Sequence, residues 1–190
     1  MQRSRRVPLE ARRPFAAYLS LTIALLLLDQ VSKFAVRHYM EPAQTIELIG
    51  DFFHLTYVRN VGAAFGLLPG QKLLFAGTSV LVVAGILIYW IIVRPKDMLS
   101  VLSLGLVTAG AIGNLIDRIM IGRVTDFLDF FGNHFPVFNV ADSAVIIGVG
   151  ILLFRIMFWP EDASDSENVA PPEEPAESEE VAATSSEVPQ

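Results

Sequence analysis

Asp126, Asp129, Asn139 and Asp142 stand within or just ahead of the apolar half of "GRVTDFLDFFGNHFPVFNVADSAVIIGVGILLF", residues 122–154 of this 190-residue chain. Carboxylates at the edge of an apolar run are costly unless they are paired or used. Asn139 precedes Asp142 by three residues, which places the two on one helix face. Asp126 falls in the loop leading to that helix, and the loop is short enough to bring the acids together. Two carboxylates in contact cannot both ionise cheaply; one pKa rises and the pair shares a proton. Such a pair suits peptide hydrolysis. The ionised acid takes a proton from water, while the protonated one polarises the carbonyl and then protonates the leaving amine. Spacing alone leaves a proton relay or an ion path open, since acids within membranes serve those roles too. Asp129 reads as a surface acid or a helix cap.

Other polar residues interrupt apolar runs. Asn114, Asp117 and Arg118 share one end of a helix, either as a polar cluster anchoring that end or as groups that shape a site. Asp29 and Lys33, one turn apart, can neutralise each other and read as a structural or positioning pair. A catalytic Ser32–Lys33 dyad is disfavoured, because adjacent helical residues point about 100° apart. The absence of cysteine removes disulfides, thiolate metal sites and thiol nucleophiles together. His38, His54 and His134 lack metal-ligand spacing, so neither a metal nor another cofactor is expected.

The elements that must position these groups are apolar. With 53% hydrophobic residues the chain suits a small multi-span membrane protein rather than a soluble domain. Four runs, about 15–36, 71–93, 98–117 and 139–159, approach the ~20 residues that cross ~30 Å of hydrocarbon as a helix. The first resembles a secretory signal, but it is long, no small-x-small cleavage site follows and further spans come after, so it is read as retained. In the third, Gly105, Ala109 and Gly113 recur every four residues and favour close approach of another helix.

Arg3, Arg5, Arg6, Arg12 and Arg13 precede the first span, and Arg94 and Lys96 lie in the turn between the second and third. They predict that both termini are cytoplasmic and that Asp126 and Asp142 lie near the outer face. The outer segment, about 40–70, holds "TIELIGDFFHLTYVRN", whose β-branched and aromatic residues around Gly50-Asp51 predict two short strands and a turn. "VGAAFGLLPG" predicts a short helix or re-entrant turn. Phe127, Phe130, Phe131, Phe135 and Phe138 are expected to seat the later loop in the membrane interface.

Residues 1–159 thus form the membrane domain. Residues 160–190 carry ten of the 20 acids and no Lys or Arg, so the other ten acids face 14 basic residues and the body bears about +4. A tail of this kind cannot bury a core and is expected to be disordered.

Five blocks in order carry a resemblance: "DQVSK" at 29–33, "RNVGAAFG" at 59–66, "GAIGNLIDR" at 110–118, "GRVTDFLDF" at 122–130 and "FNVADSAV" at 138–145. Over roughly 15–159 the chain resembles the lipoprotein signal peptidase (signal peptidase II) family. The resemblance implies an all-α membrane protein of four transmembrane helices with a small extracytoplasmic β-sheet cradle and a short helix. It implies an intramembrane aspartic endopeptidase of the bacterial inner membrane that cuts prolipoproteins just before a diacylglyceryl-modified cysteine. Asp126 and Asp142 match the family's catalytic pair. Asn60, Asn114, Arg118 and Asn139 match positions that shape the site or bind substrate, and Asp29, Lys33, Gly62 and Asp117 match structural or positioning ones. The expected partners are lipidated prolipoproteins and membrane lipid, with no nucleic acid, and the expected state is a monomer. The rival readings are a small proton-coupled transporter using the same carboxylates and a membrane scaffold without chemistry. A transporter calls for acids distributed through the membrane depth, whereas here the polar residues of the later spans gather at one end.

Overall fold

Predominantly apolar sequence with few helix breakers gives four long helices: α1 (Leu9–Tyr39), α2 (Lys72–Val93), α3 (Met98–Met120) and α4 (Val140–Phe158). Each is long and apolar enough to cross a membrane. The computed structural model describes residues 9–62, 72–132 and 134–158. The expected spans are all present, and α1 outruns its expected limits at both ends. At 1.5 Å per residue its 31 residues reach about 46 Å, so it projects beyond the hydrocarbon layer. α3 likewise continues past 117 to Met120, and Gly122 then turns the chain at a φ of +76°.

α3 is the hub and packs against α1, α2 and α4. It is 61% buried across its apolar window, whereas the other three spans show 6–22% and leave most of their surface for lipid. Small residues make this position accessible. Gly105 lies against Tyr18, Leu21 and Thr22 of α1, and Gly113 against Asp29 of α1 and Ala141 of α4. The α4 contact also uses Gly110, outside the expected four-residue stripe, where an added Cβ would strike the Ala141 carbonyl oxygen. Gly148 of α4 completes it, since a Cβ there would stand 2.8 Å from the Ser103 carbonyl oxygen. Hydrogen bonds supplement this packing: the Tyr18 hydroxyl donates to Thr108 Oγ1 at 3.0 Å. At the other end of the bundle Asp97 accepts the Ser100 N–H at 2.8 Å, capping α3, and pairs with Arg155 of α4 at 3.4 Å.

A three-stranded antiparallel sheet sits at the end where α1 and α3 finish and α4 begins. Its order is β1 (Thr45–Ile49), β2 (Phe53–Asn60), β3 (Val124–Phe130). The β1–β2 hairpin is the one expected around Gly50-Asp51. Asp126, expected in a loop, lies instead in β3, opposite Val58 of β2. The turn at Gly122 sends the chain back along β2, whose free edge takes "VTDFLDF" as a third strand.

Val36 of α1, Met40 just after its last residue, Tyr57 of β2 and Phe127 of β3 form one buried cluster that fixes the sheet to the end of α1. Phe127 therefore belongs to the core and not to the membrane interface, because β3 turns it inward. Phe130 and Phe138 stack at 5.7 Å, while Phe131 and Phe135 are exposed. Most of "VGAAFGLLPG", from residue 63 on, and the acidic tail at 160–190 lie outside the described residues.

Candidate active site

The backbone just before α4 is tied to β3. Leu128 N donates to the Phe138 carbonyl at 2.8 Å, and Phe138 N donates back to the Leu128 carbonyl at 3.1 Å. That bridge leaves the next residue, Asn139, fully buried between β3 and the start of α4. Asn139 is the cap of α4 and precedes its first turn. Asp142 N donates to Asn139 Oδ1 at 3.0 Å, and Asn139 N donates to Asp142 Oδ2 at 3.2 Å. This reciprocal cap satisfies helix-end donors that would otherwise be buried without partners.

With its carbonyl committed to the cap, the Asn139 amide nitrogen faces the sheet. It donates to Asp126 Oδ1 at 2.7 Å and to Asn114 Oδ1 at 3.2 Å. One side chain thus joins both acids. Asp126 Oδ2 accepts from Asn60 Nδ2 at 2.8 Å, and Asn60 is oriented by the Gly62 N–H, which donates to Asn60 Oδ1 at 2.9 Å. Asp142 Oδ1 accepts from Asn114 Nδ2 at 2.8 Å. Each of the four carboxylate oxygens is held by its own donor.

Burial pushes the Asp126 carboxyl up to about 6, and the neighbouring Asp142 charge adds to the rise. Hydrogen bonds from Asn60 and Asn139, and the Lys33 charge, oppose it.

Beneath the two acids lies a buried charge cluster. The Lys33 ammonium, fully buried, contacts Asp29 Oδ2 at 2.9 Å, donates to Asn114 Oδ1 at 3.0 Å and lies 3.7 Å from Asp117 Oδ2. Asp29 does more than neutralise Lys33: its Oδ1 accepts the Ala141 N–H at 2.9 Å and so holds the first turn of α4 to α1. Asp117 pairs with Arg37 at 3.2 Å and accepts the Thr125 N–H at 2.9 Å. Arg118 reaches the same acids through charge, feeling Asp142, Asp126 and Asp117, while its guanidinium lies 5.6 Å from the centre of the Phe75 ring.

Among the residues singled out from sequence, Asp29, Lys33, Asn60, Gly62, Asn114, Asp117, Asn139, Asp126 and Asp142 form one continuous network. Asp129 departs from its expected place. It is buried within the sheet and accepts the Thr56 hydroxyl at 2.6 Å, so it is neither a surface acid nor a helix cap. Sequence reasoning passed over Arg37 and Thr125. The available signal was the four-residue spacing of Asp29, Lys33 and Arg37, which puts all three on one face of α1. Among the described residues no three His, Asp or Glu side chains come together as a ligand set.

Four apolar helices and their three-stranded sheet define the fold of a multi-pass membrane protein. Two solved bacterial membrane enzymes share it: one superposes with a TM-score of 0.71 at 30% identity, over 82% of this chain and 93% of its own. The other gives 0.69 at 31% identity, over 75% and 94%. The family model for signal peptidase (SPase) II matches residues 21–158. A lipoprotein signal peptidase of Brevibacillus brevis is 48% identical over 139 residues, spanning 73% of this chain and 93% of that protein. Its counterpart from Halothermothrix orenii is 46% identical over 140 residues, spanning 74% and 93%. The chain belongs to the signal peptidase II family.

Proposed function

We propose that this protein is an intramembrane aspartic endopeptidase in which Asp126 and Asp142 together activate the water that cuts lipid-modified lipoprotein precursors. Family membership carries the broader statement: the chain is a peptidase that removes signal peptides from prolipoproteins. The observation that supports the aspartic reading best is Asn139, whose backbone and side chain hold Asp142 and whose amide holds Asp126. A proton-coupled transporter finds no support in the family, and the two acids are tied to amides at one end of the bundle instead of marking a path through it.

In the proposed reaction the pair carries one proton. The ionised carboxylate takes a proton from a water held between the two acids as that water attacks the scissile carbonyl. The protonated carboxyl hydrogen-bonds the carbonyl oxygen and stabilises the charge that develops there. Proton transfer to the leaving amine then ends the cycle with one proton again on the pair. Asn60, Asn114 and Asn139 keep the four oxygens in place, which lessens reorganisation during the reaction. Arg118 supplies positive charge near the pair and is proposed to help seat the substrate.

Geometry also supports the substrate class. A signal peptide is an apolar helix that remains in lipid, and a diacylglyceryl-cysteine sits at the membrane surface. A cutting site therefore belongs at the ends of the spans, where Asp126 and Asp142 lie. We place that end at the outer face and both termini in the cytoplasm, from the Arg cluster ahead of the apolar part of α1 and Arg94 and Lys96 between α2 and α3. Asp126, Asp142 and the three asparagines that hold them meet within one chain, and a monomer is the state we propose.

The test is cleavage of a diacylglyceryl-modified prolipoprotein by purified protein in detergent with excess chelator. Full activity and a product beginning at the lipidated cysteine are expected. Loss of activity restored by added metal would overturn the aspartic chemistry.

A further inference from the structure

The proposed reaction uses Asp126, whose backbone in β3 pairs with β2 on one side and is bridged to Phe138 just after it. A further tie, to α1 and α3, lies one residue earlier. Thr125 is buried, and its N–H donates to Asp117 Oδ2 at 2.9 Å. The other oxygen of Asp117 takes Arg37 Nη1 at 3.2 Å, and the same Nη1 donates to Thr125 Oγ1 at 3.1 Å. Arg37, Asp117 and Thr125 therefore close a ring linking α1, α3 and β3, with one guanidinium nitrogen at its corner. The charges balance as well. Asp29 and Asp117 face Lys33 and Arg37, and Lys33 is shared between the two acids at 2.9 and 3.7 Å. Arg37 is the member of this set with appreciable exposure, 26% of its side chain against 2% or less for the others, so it closes the cluster from the solvent side.

We propose that Arg37 is a positioning residue for peptide cleavage, clamping Thr125 to Asp117 so that Asp126 meets Asp142 at the right place. This rests on Asp126 and Asp142 being the catalytic pair. Without the guanidinium, Asp117 keeps the Thr125 N–H but must share Lys33 with Asp29, and the Thr125 hydroxyl loses its donor. β3 then gains freedom next to the reacting group. A misplacement of about 1 Å at a catalytic group can cost up to about 100-fold in rate. Because Arg37 acts through Asp126 and not on the substrate, the loss belongs in kcat and not in KM. Lysine keeps the charge and can donate to both Asp117 and Thr125, so it separates the clamp from mere volume.

The experiment measures kcat and KM for cleavage of a lipidated prolipoprotein by purified full-length Arg37→Met, Arg37→Lys, Thr125→Val and Asp126→Asn proteins. Expected are a fall in kcat of about ten-fold for Arg37→Met with KM within two-fold, recovery of at least half the rate in Arg37→Lys, and a smaller fall in kcat for Thr125→Val. Should Arg37→Met fail to fold, Thr125→Val alone decides, through the same kcat loss at constant KM. A wild-type kcat in Arg37→Met or, if that protein is lost, in Thr125→Val, would overturn the inference, as would a loss that falls in KM or that lysine does not restore. An inactive Asp126→Asn beside an unaffected Arg37→Met sinks only the clamp; an active Asp126→Asn sinks the aspartic reading itself.

Discussion

Asn139 turns two separate tasks into one. A helix beginning inside a protein needs its first N–H groups satisfied, and a carboxylate pair needs its oxygens held. The reciprocal cap with Asp142 does the first, and the amide directed at Asp126 does the second. Asn60 acts on Asp126 alone, favouring its charged form, so the sign of its removal can be worked out. Losing that donor raises the Asp126 pKa further above its present value of about 6. Activity needs one proton on the pair and is lost as pH rises through the upper pKa. In Asn60→Ala the alkaline limb of kcat/KM should therefore move to higher pH, with a reduced maximum; a limb that stays put or moves down would contradict this. Asp129 lies outside the reacting pair. In Asp129→Ala the buried Thr56 hydroxyl loses its charged acceptor and keeps Thr45 Oγ1 at 3.1 Å, and loss of that charged hydrogen bond should cost about 1–3 kcal/mol of stability, read as a lower melting temperature. Its kcat should stay within a few-fold of wild type. The catalytic candidates were legible in the sequence because acids and amides are rare beside apolar spans. The burial of Asp129 was not, since nothing in "DFLDF" says which face of a strand meets the helices.

Elements bring these residues together through close approach. Gly110 and Gly148 allow α3 and α4 to touch backbone to backbone, which places Asn114 against Asp142. Gly110→Ala would drive a methyl group into the Ala141 carbonyl oxygen and Val145. An overpacking cost of about 1–3 kcal/mol is expected, with loss of cleavage, because the first turn of α4 carries Asp142. Normal stability and activity in that variant would show that the helices stand farther apart. The four spans and the β1–β2 hairpin were readable from composition and periodicity. β3 was not, because a strand that pairs with residues some 70 positions earlier leaves no local signature apart from a few β-formers after Gly122. The same long-range pairing explains why Arg37 escaped notice: its partners Asp117 and Thr125 lie 80 and 88 residues away.

At the scale of the molecule, apolar surface covers most of the spans and polar residues converge where the sheet meets the bundle. That asymmetry suits a protein whose substrate travels in lipid and is cut at the membrane boundary. The acidic stretch at 160–190 lies beyond the last residue matched by the family model, residue 158. Its deletion should leave cleavage in liposomes unchanged, and an inactive yet folded truncation would give the tail a role. The most direct test of the whole mechanism is cleavage of a lipidated prolipoprotein by purified Asp126→Asn and Asp142→Asn proteins, each shown to be folded by its thermal transition. If the two acids share the work, each substitution alone abolishes turnover. Cleavage near the wild-type rate by either one would contradict it.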